Sequence, residues 1–478
     1  MKELIGREPE QEILKQAIKS SEAELIAVYG RRRVGKTYLI RQYFKDEILF
    51  DFSGVHNETL KNQLANFRNT LAVSMKQVVL PAIPQGWGDA FLQLQQYIAA
   101  IPKSGKKVVF LDEFPWLNSP RSGFLPAFEF FWNSWASKQK NLIVVICGSA
   151  ASWMIQNVVN NKGGLHNRIT KKIRLLPFTL KETKAYLRFR KVNLDDYQIM
   201  QLYMAMGGIP QYLKEIQTGQ SATQNIDRTC FTKDGLLRDE FTNLYRSLFD
   251  QADKHIAVVR ALADKPAGLT RKQIMAELKL STGGRLSELL SELTESGFIS
   301  SYIPFERNIR DSIYKLSDEY SRFYLKFIEN TRSTGPGAWT RLSAGTSWRS
   351  WSGTAFESVC LKHIHNIKKA LGIDGVQVSE SIWRHVPGKS QAGAQIDLLI
   401  DRADFCISIC EMKFSANEFM IDKKYALELQ NKMKVFQQKT NTRKTLMLAM
   451  VTTFGLKDNI VKSGLIQNEV TLKDLFDG

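Results

Sequence analysis

A phosphate-loop pattern near the N-terminus constrains this chain more than any other feature. Residues 30–37 fit the spacing G-x-x-x-x-G-K-[S/T], between an apolar run at 25–29 and a helix-like stretch at 37–44. In a strand–loop–helix of this kind, glycines let main-chain N–H groups turn toward phosphates and the helix N-terminus faces the anion. Lys36 can then reach the terminal phosphate oxygens and Thr37 can ligate Mg²⁺. The candidate phosphate-binding residues are Gly30, Arg31, Arg32, Arg33, Val34, Gly35, Lys36 and Thr37.

Two further apolar runs lead into polar residues that suit phosphate chemistry. Residues 108–111 precede Asp112 and Glu113, and residues 142–146 lead toward Ser149. Asp112 would hold Mg²⁺, directly or through water, and Glu113 would orient and deprotonate the attacking water. Ser149 stands where a γ-phosphate sensor would lie, although a simple tight turn explains it equally well. Apolar strands separated by helices predict a parallel sheet covered on both faces.

The middle of the chain has the pattern of three short helices followed by a hairpin. Helical spacing marks residues 255–263, 270–278 and 282–296, and two strand-like runs follow at 299–303 and 312–316. This is the layout of a winged helix, with basic residues near its polar surfaces: Arg271, Lys272, Lys279, Arg285, Arg307 and Arg310. Such residues would suit contact with a DNA groove. The alternative is a module that joins domains or binds protein, because the third helix carries Glu288, Glu292 and Glu295.

An acidic pattern lies within two apolar strand-like runs near the C-terminus. Asp397 is in the first run, and Glu411 and Lys413 share one face of the second because side chains alternate along a strand. Glu357, near the start of an upstream helix, is a fourth candidate. Two carboxylates can bind Mg²⁺ near a scissile phosphate, and a lysine can position water or stabilise charge. The alternative is a solvent-facing charge pair on a hairpin, but charges within apolar strands are costly unless they are used.

Composition limits the classes of protein that fit. At roughly 150 residues per domain, 478 residues correspond to about three domains. The formal net charge of +18 favours an anionic partner such as nucleic acid. No apolar run is long enough for a membrane span, and the acidic N-terminus and five scattered cysteines predict a reduced, cytoplasmic protein.

The first half of the chain resembles the archaeal-type ATPase family within the AAA+/STAND group of P-loop proteins. The residues that carry the resemblance are Gly6-Arg7-Glu8, the loop at 30–37, Phe110-Leu111-Asp112-Glu113-Phe114, Gly148-Ser149 and Gly207-Gly208-Ile209-Pro210. The resemblance implies ATP as the nucleotide, an ASCE-type sheet and a helical lid that carries Pro210. It also implies that Arg7 lies near the adenine and that the protein self-associates. The lid stretch offers no arginine for the second-sensor role, and Arg168 is a candidate transition-state arginine or a plain surface residue.

The C-terminal pattern resembles the PD-(D/E)xK nuclease core found at the C-terminus of many members of this ATPase family. The resemblance implies a metal site made by Glu357, Asp397, Glu411 and Lys413, with Asp397 and Glu411 as metal ligands. This chain departs from the motif in having Ile396 where a proline would precede the aspartate.

Together these patterns predict an α/β protein with four parts. A P-loop NTPase parallel sheet at 1–175 and a helical lid at 176–250 precede a winged helix at 251–330. Residues 331–337 are rich in turn formers and predict a linker or a long loop, and a restriction-endonuclease-like α/β domain follows at 347–478. The predicted function is ATP hydrolysis coupled to action on DNA, with Mg²⁺-dependent cleavage by the C-terminal domain. The alternative is a nucleotide-dependent switch that binds DNA or protein and cuts nothing.

Overall fold

We describe the fold from a computed structural model of the chain. It describes residues 4–76, 80–102, 105–159, 163–165, 167–249, 251–280, 284–331, 335–385 and 393–477. The chain divides into two compact units. The first contains residues 1–177 with the short segments 247–250 and 295–297, and the second contains the remainder. The finer division into four domains stays a prediction.

The first unit is built on a five-stranded parallel sheet. Its strands are β1 (Glu24–Tyr29), β2 (Ile48–Ser53), β3 (Lys107–Asp112), β4 (Leu142–Gly148) and β5 (Lys171–Arg174), in the order β2-β3-β4-β1-β5. Every residue of β3 and β4 is buried, as strands covered on both faces should be. The predicted parallel sheet is therefore confirmed. Strand β4 lies between β1 and β3, so the loop after β1 and the acids at the end of β3 meet at the carboxyl edge of the sheet.

Seven helices accompany this sheet in the described part of the first unit. They are α1 (Glu8–Lys19), α2 (Lys36–Tyr43), α3 (Leu60–Met75), α4 (Trp87–Ala100), α5 (Phe114–Leu117), α6 (Phe124–Ser134) and α7 (Ala151–Met154). Aromatic side chains fill the space between α3, α4, α6 and the sheet. Phe91 stacks on Phe131 with ring centroids 4.9 Å apart, and Trp87 meets Phe124 edge-on at the same distance. This rigid aromatic core supports the strand ends that carry the polar residues.

The second unit begins with a run of helices, several of which start with a side-chain cap. They are α8 (Leu180–Phe189), α9 (Asp196–Met206), α10 (Pro210–Leu213), α11 (Ala222–Cys230) and α12 (Glu240–Arg246). Thr179 and Ser221 each form a reciprocal capping box at the start of α8 and α11, which satisfies N–H groups that would otherwise lack partners. These residues are helical, and their role as a lid stays a prediction.

Three helices and a small sheet follow in the predicted order. The elements are α13 (Ala252–Ala263), β6 (Leu269–Thr270), α14 (Arg271–Glu277), α15 (Gly284–Glu295), β7 (Ile299–Tyr302) and β8 (Ile313–Leu316), with strand order β6-β8-β7. The predicted core stripe of α15 is buried at Leu286, Leu289, Leu290 and Leu293. Residues 282 and 283 of the predicted third helix lie outside the described residues.

The C-terminal part of the second unit contains a mixed five-stranded sheet. Helices α16 (Glu319–Phe323), α17 (Ala338–Ser343), α18 (Thr346–Lys362) and α19 (Ile364–Ala370) lead into it. The strands are β9 (Val378–His385), β10 (Ala394–Arg402), β11 (Cys406–Lys413), β12 (Thr445–Thr452) and β13 (Asn468–Val470), with α20 (Lys423–Thr440), α21 (Ile460–Ser463) and α22 (Leu472–Phe476). Strands β9, β10 and β11 are antiparallel neighbours, and β12 and β13 continue the sheet parallel to β11. Residues 332–334 of the predicted linker lie outside the described residues.

Among the described residues, no helix is both long enough and apolar enough to cross a membrane.

Candidate functional site

The loop between β1 and α2 requires glycine at its first position. Gly30 has φ +148°, and a Cβ atom there would lie 2.2 Å from the carbonyl oxygen of Leu175. Gly35, just before α2, has φ +93°. Both values are in the region that favours glycine, so the motif glycines let the main chain curl around the N-terminus of α2.

Lys36 is buried within this loop, where its ammonium group has main-chain partners. Its Nζ donates to the carbonyl oxygens of Gly30 at 2.8 Å and Arg31 at 3.0 Å. Burial lowers the pKa of Lys36, and the charges of Asp112 and Glu113 oppose that shift. An anionic phosphate in the loop would stabilise the ammonium form, because it would add negative charge where burial now disfavours positive charge.

The end of β3 meets the start of α2 through Asp112. The hydroxyl of Thr37 donates to Asp112 Oδ2 at 2.7 Å, and the hydroxyl of Ser53 approaches the same oxygen at 3.4 Å. Asp112 is buried, and its Oδ1 accepts from the main-chain N–H of Glu113 at 3.0 Å. The structure thus brings Thr37 and Asp112 together as predicted. Their hydroxyl and carboxylate oxygens are the donor types that Mg²⁺ prefers, so the pair fits this ion.

Glu113 is held by Ser149 at the end of the neighbouring strand. Its Oε2 accepts from Ser149 Oγ at 2.8 Å and from the Ser149 main-chain N–H at 3.3 Å. Glu113 also has φ +47°, a left-handed conformation that is uncommon for a residue with a side chain. Ser149 therefore contacts the predicted catalytic carboxylate, and its predicted role as a γ-phosphate sensor stays a prediction.

The remaining residues predicted for the nucleotide site have other contacts and positions. Arg7 is buried and its Nη2 donates to the carbonyl oxygen of Val34 at 3.1 Å, which ties the segment before α1 to the loop. The guanidinium of Arg32 lies 5.2 Å from the ring centre of Trp116. Arg168 is exposed, and Pro210 opens α10 in the second unit, so the roles predicted for both stay predictions.

We name Glu357, Asp397 and Glu411 the C-terminal acidic cluster. Leu398 on β10 pairs with Cys410 on β11, so Asp397 and Glu411 each lie one residue beyond that pair, at the same end of the two strands. Glu411 is 1% exposed, and both of its carboxylate oxygens accept from Lys432 Nζ on α20 at 2.8 Å.

Asp397 has a perturbed acidity in this setting. Burial, followed by the charges of Glu357 and Glu411, raises the pKa of Asp397 to about 7, while Lys432 and Lys315 act in the opposite direction. Its Oδ1 accepts from Gln395 Nε2 at 3.3 Å. A buried carboxyl group whose acidity is weakened by neighbouring carboxylates marks a candidate functional site.

Glu357 on α18 binds a lysine from the small sheet. Lys315 Nζ on β8 lies 2.8 Å from Glu357 Oε1, and both side chains are largely buried. Arg322 on α16 is half-buried nearby, and its Nη2 donates to Thr354 Oγ1 at 3.2 Å. Burial lowers the pKa of Arg322, and the charges of Glu357 and Glu319 oppose this shift.

Lys315 and Lys432 thus bind two of the carboxylates that the sequence assigned to a metal site. Over the described ranges, no group of three or more His, Cys, Asp and Glu side chains is arranged to hold a metal ion. The structure does not assemble the C-terminal acidic cluster into a three-carboxylate metal site, because Glu357 and Glu411 each bind a lysine. Asp397 and Glu411 have the oxygen donors that Mg²⁺ takes from proteins, often one or two carboxylates with several waters, but Lys432 occupies both oxygens of Glu411. Lys413 Nζ lies 5.0 Å from the ring centre of Tyr425, whose hydroxyl is 3.5 Å from Glu411.

The sequence reasoning missed Lys432 and Lys315. Lys432 follows Tyr425 and Leu429 at helical spacing on α20, so its position on the face toward β11 had a local signal. Lys315 had none, because 42 residues separate it from Glu357.

Comparison with known proteins finds similarity mainly in the N-terminal part of the chain. Residues 4–216 match the family described as an ATPase domain predominantly from Archaea. The chain is 23% identical over 401 residues to an uncharacterized protein of Methanocaldococcus jannaschii, with 83% of each chain covered. A Walker-type ATPase of Pyrococcus abyssi is similar at 17% identity and a TM-score of 0.48, covering 67% of this chain and 96% of that one. The Aeropyrum pernix ORC2 protein in ADPNP–ADP complexes is similar at 13% identity and a TM-score of 0.40, covering 72% and 96%.

The family match agrees with the loop geometry. The match of residues 4–216 to this ATPase domain supports, for this part of the chain, the P-loop ATPase resemblance predicted from the motifs. The assignment of the residues after 216 rests on their own geometry.

Proposed function

We propose that this protein hydrolyses ATP with Mg²⁺ at the loop of residues 30–37 and uses the nucleotide cycle to act on DNA. The observation that carries the first part is the hydrogen-bonded series Thr37–Asp112–Glu113–Ser149, which aligns the phosphate loop with a carboxylate able to accept a proton. Catalysis of ATP hydrolysis depends more on positioned charged groups than on covalent chemistry by the protein. The series supplies such groups.

Lys36 and each residue of the series would have a distinct task. Lys36 would leave the carbonyls of Gly30 and Arg31 to contact the terminal phosphate oxygens. Thr37 and Asp112 would hold Mg²⁺, which neutralises charge on the phosphates when bound. Glu113 would orient the attacking water and accept its proton, and Ser149 would keep the Glu113 carboxylate in place.

Two substitutions test the nucleotide site. Lys36→Ala should abolish nucleotide binding, because a neutral side chain cannot neutralise the phosphates. Glu113→Gln should keep binding and reduce turnover at least 100-fold, because the amide cannot accept a proton. Calorimetry with ATP and a phosphate-release assay measure both effects, with exposed Lys45→Ala as the control. Retained turnover in Lys36→Ala would contradict the assignment.

Action on DNA is supported by the segment from α13 to β8. We propose that it is a winged helix, since its three helices and antiparallel hairpin occur in that order and Arg307 and Arg310 lie exposed near the hairpin tip. The net charge of +18 is consistent with attraction to nucleic acid. If the protein does not bind DNA, the alternative that this segment binds another protein remains.

The C-terminal domain supports DNA cleavage as a second candidate function. The supporting observation is that Asp397 and Glu411 lie at the same end of antiparallel strands, with Lys413 two residues further along β11. In this proposal Asp397 and Glu411 hold Mg²⁺, and Lys413 stabilises charge on the scissile phosphate.

A cleavage assay separates a nuclease from a switch that cuts nothing. Wild-type protein and the double variant Asp397→Ala/Lys413→Ala are incubated with linear and circular DNA, Mg²⁺ or Mn²⁺, and ATP or a non-hydrolysable analogue. The nuclease proposal expects cleavage by wild type and a loss of at least 100-fold in the variant. Equal, intact DNA in both reactions would favour the switch.

Self-association belongs to the same proposal, since nucleotide-driven switches commonly work between copies of a chain. Light scattering should show a larger species with ATP than with ADP. A monomer of the same size with ATP and with ADP would contradict the proposed self-association.

A further inference from the structure

We infer that two lysines from different elements, Lys315 and Lys432, hold the C-terminal acidic cluster closed by competing with divalent cations for its carboxylates. The inference rests on the proposed cleavage function, and concerns the regulation of that site. Neither lysine belongs to the sequence motif that pointed to the cluster. Each reaches its carboxylate from a separate element, β8 for Lys315 and α20 for Lys432.

Lys432 occupies the oxygens that a metal ion would need. Its Nζ is 2.8 Å from both carboxylate oxygens of Glu411, which is almost fully buried. A buried carboxylate needs a nearby cation, and the ammonium group supplies it. An ammonium and a divalent cation repel each other strongly at such distances, so a metal ion can bind Glu411 only after Lys432 withdraws.

Lys315 plays the same part at Glu357. The ammonium is 2.8 Å from Glu357 Oε1, and the two side chains are 11% and 16% exposed. Lys315 Nζ also lies 5.8 Å from the ring centre of Tyr302, which limits its freedom. Two of the three carboxylates of the C-terminal acidic cluster are therefore neutralised by lysines.

The position of Lys315 connects the closure to the proposed DNA contact. Lys315 is on β8, a strand of the hairpin whose tip region carries Arg307 and Arg310. DNA that draws the hairpin away from α18 would release Glu357, and metal binding would in turn favour DNA binding, since coupling between two sites is reciprocal. Lysine side chains are long and flexible, and that of Lys432 is 21% exposed, so Lys432 can withdraw into solvent.

Metal binding to the full chain tests the closure. Mn²⁺ affinity is measured by calorimetry without nucleotide, in an Asp112→Asn background that removes the carboxylate of the first site. Lys432→Met and Lys315→Met should each bind Mn²⁺ at least 10-fold more tightly than the parent. Exposed Lys424→Met, on the same helix as Lys432, should bind as the parent does. Adding Asp397→Asn should remove the gain.

Thermal unfolding with and without Mn²⁺ shows that each variant is folded. If Lys432→Met does not fold, Lys315→Met alone decides the matter. Unchanged or weaker Mn²⁺ binding in the folded variants overturns the closure.

Cleavage assays on the same proteins distinguish the two proposals. Tighter Mn²⁺ binding without DNA cleavage supports the closure and overturns the nuclease function. Cleavage by wild type with no gain in Mn²⁺ affinity supports the nuclease function and overturns the closure.

Discussion

Glu113 combines a strained backbone with a well-bonded side chain. A left-handed residue with a side chain costs about 1 kcal/mol or more, and such strain persists where the surroundings hold it. The two hydrogen bonds from Ser149 are part of those surroundings. The carboxylate is thereby directed without bound nucleotide, which would reduce the reorganisation needed if Glu113 acts as proposed in hydrolysis.

Ser149→Ala removes the shorter of these hydrogen bonds. If the hydroxyl serves to orient Glu113, we expect ATP turnover to fall about 10-fold while ATP affinity stays unchanged. Ser149→Thr keeps the hydroxyl and serves as the control. Comparing kcat with the affinity for ATP checks the prediction, and a loss confined to affinity would support the sensor role instead.

Gly30→Ala should disrupt the phosphate loop. The added Cβ would meet the Leu175 carbonyl oxygen at 2.2 Å, so the main chain must shift, and we expect a loss of about 3 kcal/mol in unfolding free energy together with ATP binding. Gly88→Ala in helix α4, where the new Cβ meets nothing within 4 Å, is the matched control. That control should be neutral or slightly stabilising in chemical denaturation. Equal stability of both variants would contradict the prediction.

At the level of elements, His363 joins α18 to the start of α8. Its Nε2 accepts from the main-chain N–H of Leu180 at 3.1 Å, and its Nδ1 is 2.8 Å from the carbonyl oxygen of Val359. These bonds suit the neutral ring, and burial lowers the pKa of His363 to about 4.

This shift predicts acid sensitivity of the second unit. The folded state binds fewer protons than the unfolded state between pH 6.5 and 4, so the contribution is complete above pH 6.5 and is lost as pH falls toward 4. We expect about 3 kcal/mol of unfolding free energy to depend on His363 over this range. Denaturation at several pH values, with His363→Gln and exposed His365→Gln compared, checks it. The same pH slope in wild type and His363→Gln would disprove the assignment.

At the scale of the whole molecule, the excess of 66 basic over 48 acidic side chains bears on DNA binding. Removing Arg307 and Arg310 together should reduce the slope of log affinity against log salt by about 2, since each phosphate contact releases roughly one counterion. The exposed pair Lys45→Ala/Lys61→Ala removes the same charge and should leave the slope nearly unchanged. Fluorescence anisotropy over a salt series measures both, and equal slopes would place the DNA contact elsewhere.

Much of the fold could be predicted because its signals are local. The apolar runs that became β1, β3 and β4, the glycines of residues 30–37 and the leucine stripe of α15 are patterns within a few residues. Local patterns also brought Asp112, Asp397 and Glu411 into consideration, since charged residues at strand ends or within apolar strands are unusual.

The amino-acid sequence by itself determined the ATPase loop, the buried strands and the acidic positions, because steric limits and side-chain periodicity act between near neighbours. Only the tertiary structure decided that β4 lies between β1 and β3, that Ser149 bonds to Glu113, and that lysines bind two carboxylates of the C-terminal acidic cluster. Such contacts join residues 21 to 42 positions apart, as Lys432 with Glu411 and Lys315 with Glu357. Packing of whole elements brings these residues together, and no local pattern encodes which lysine meets which carboxylate.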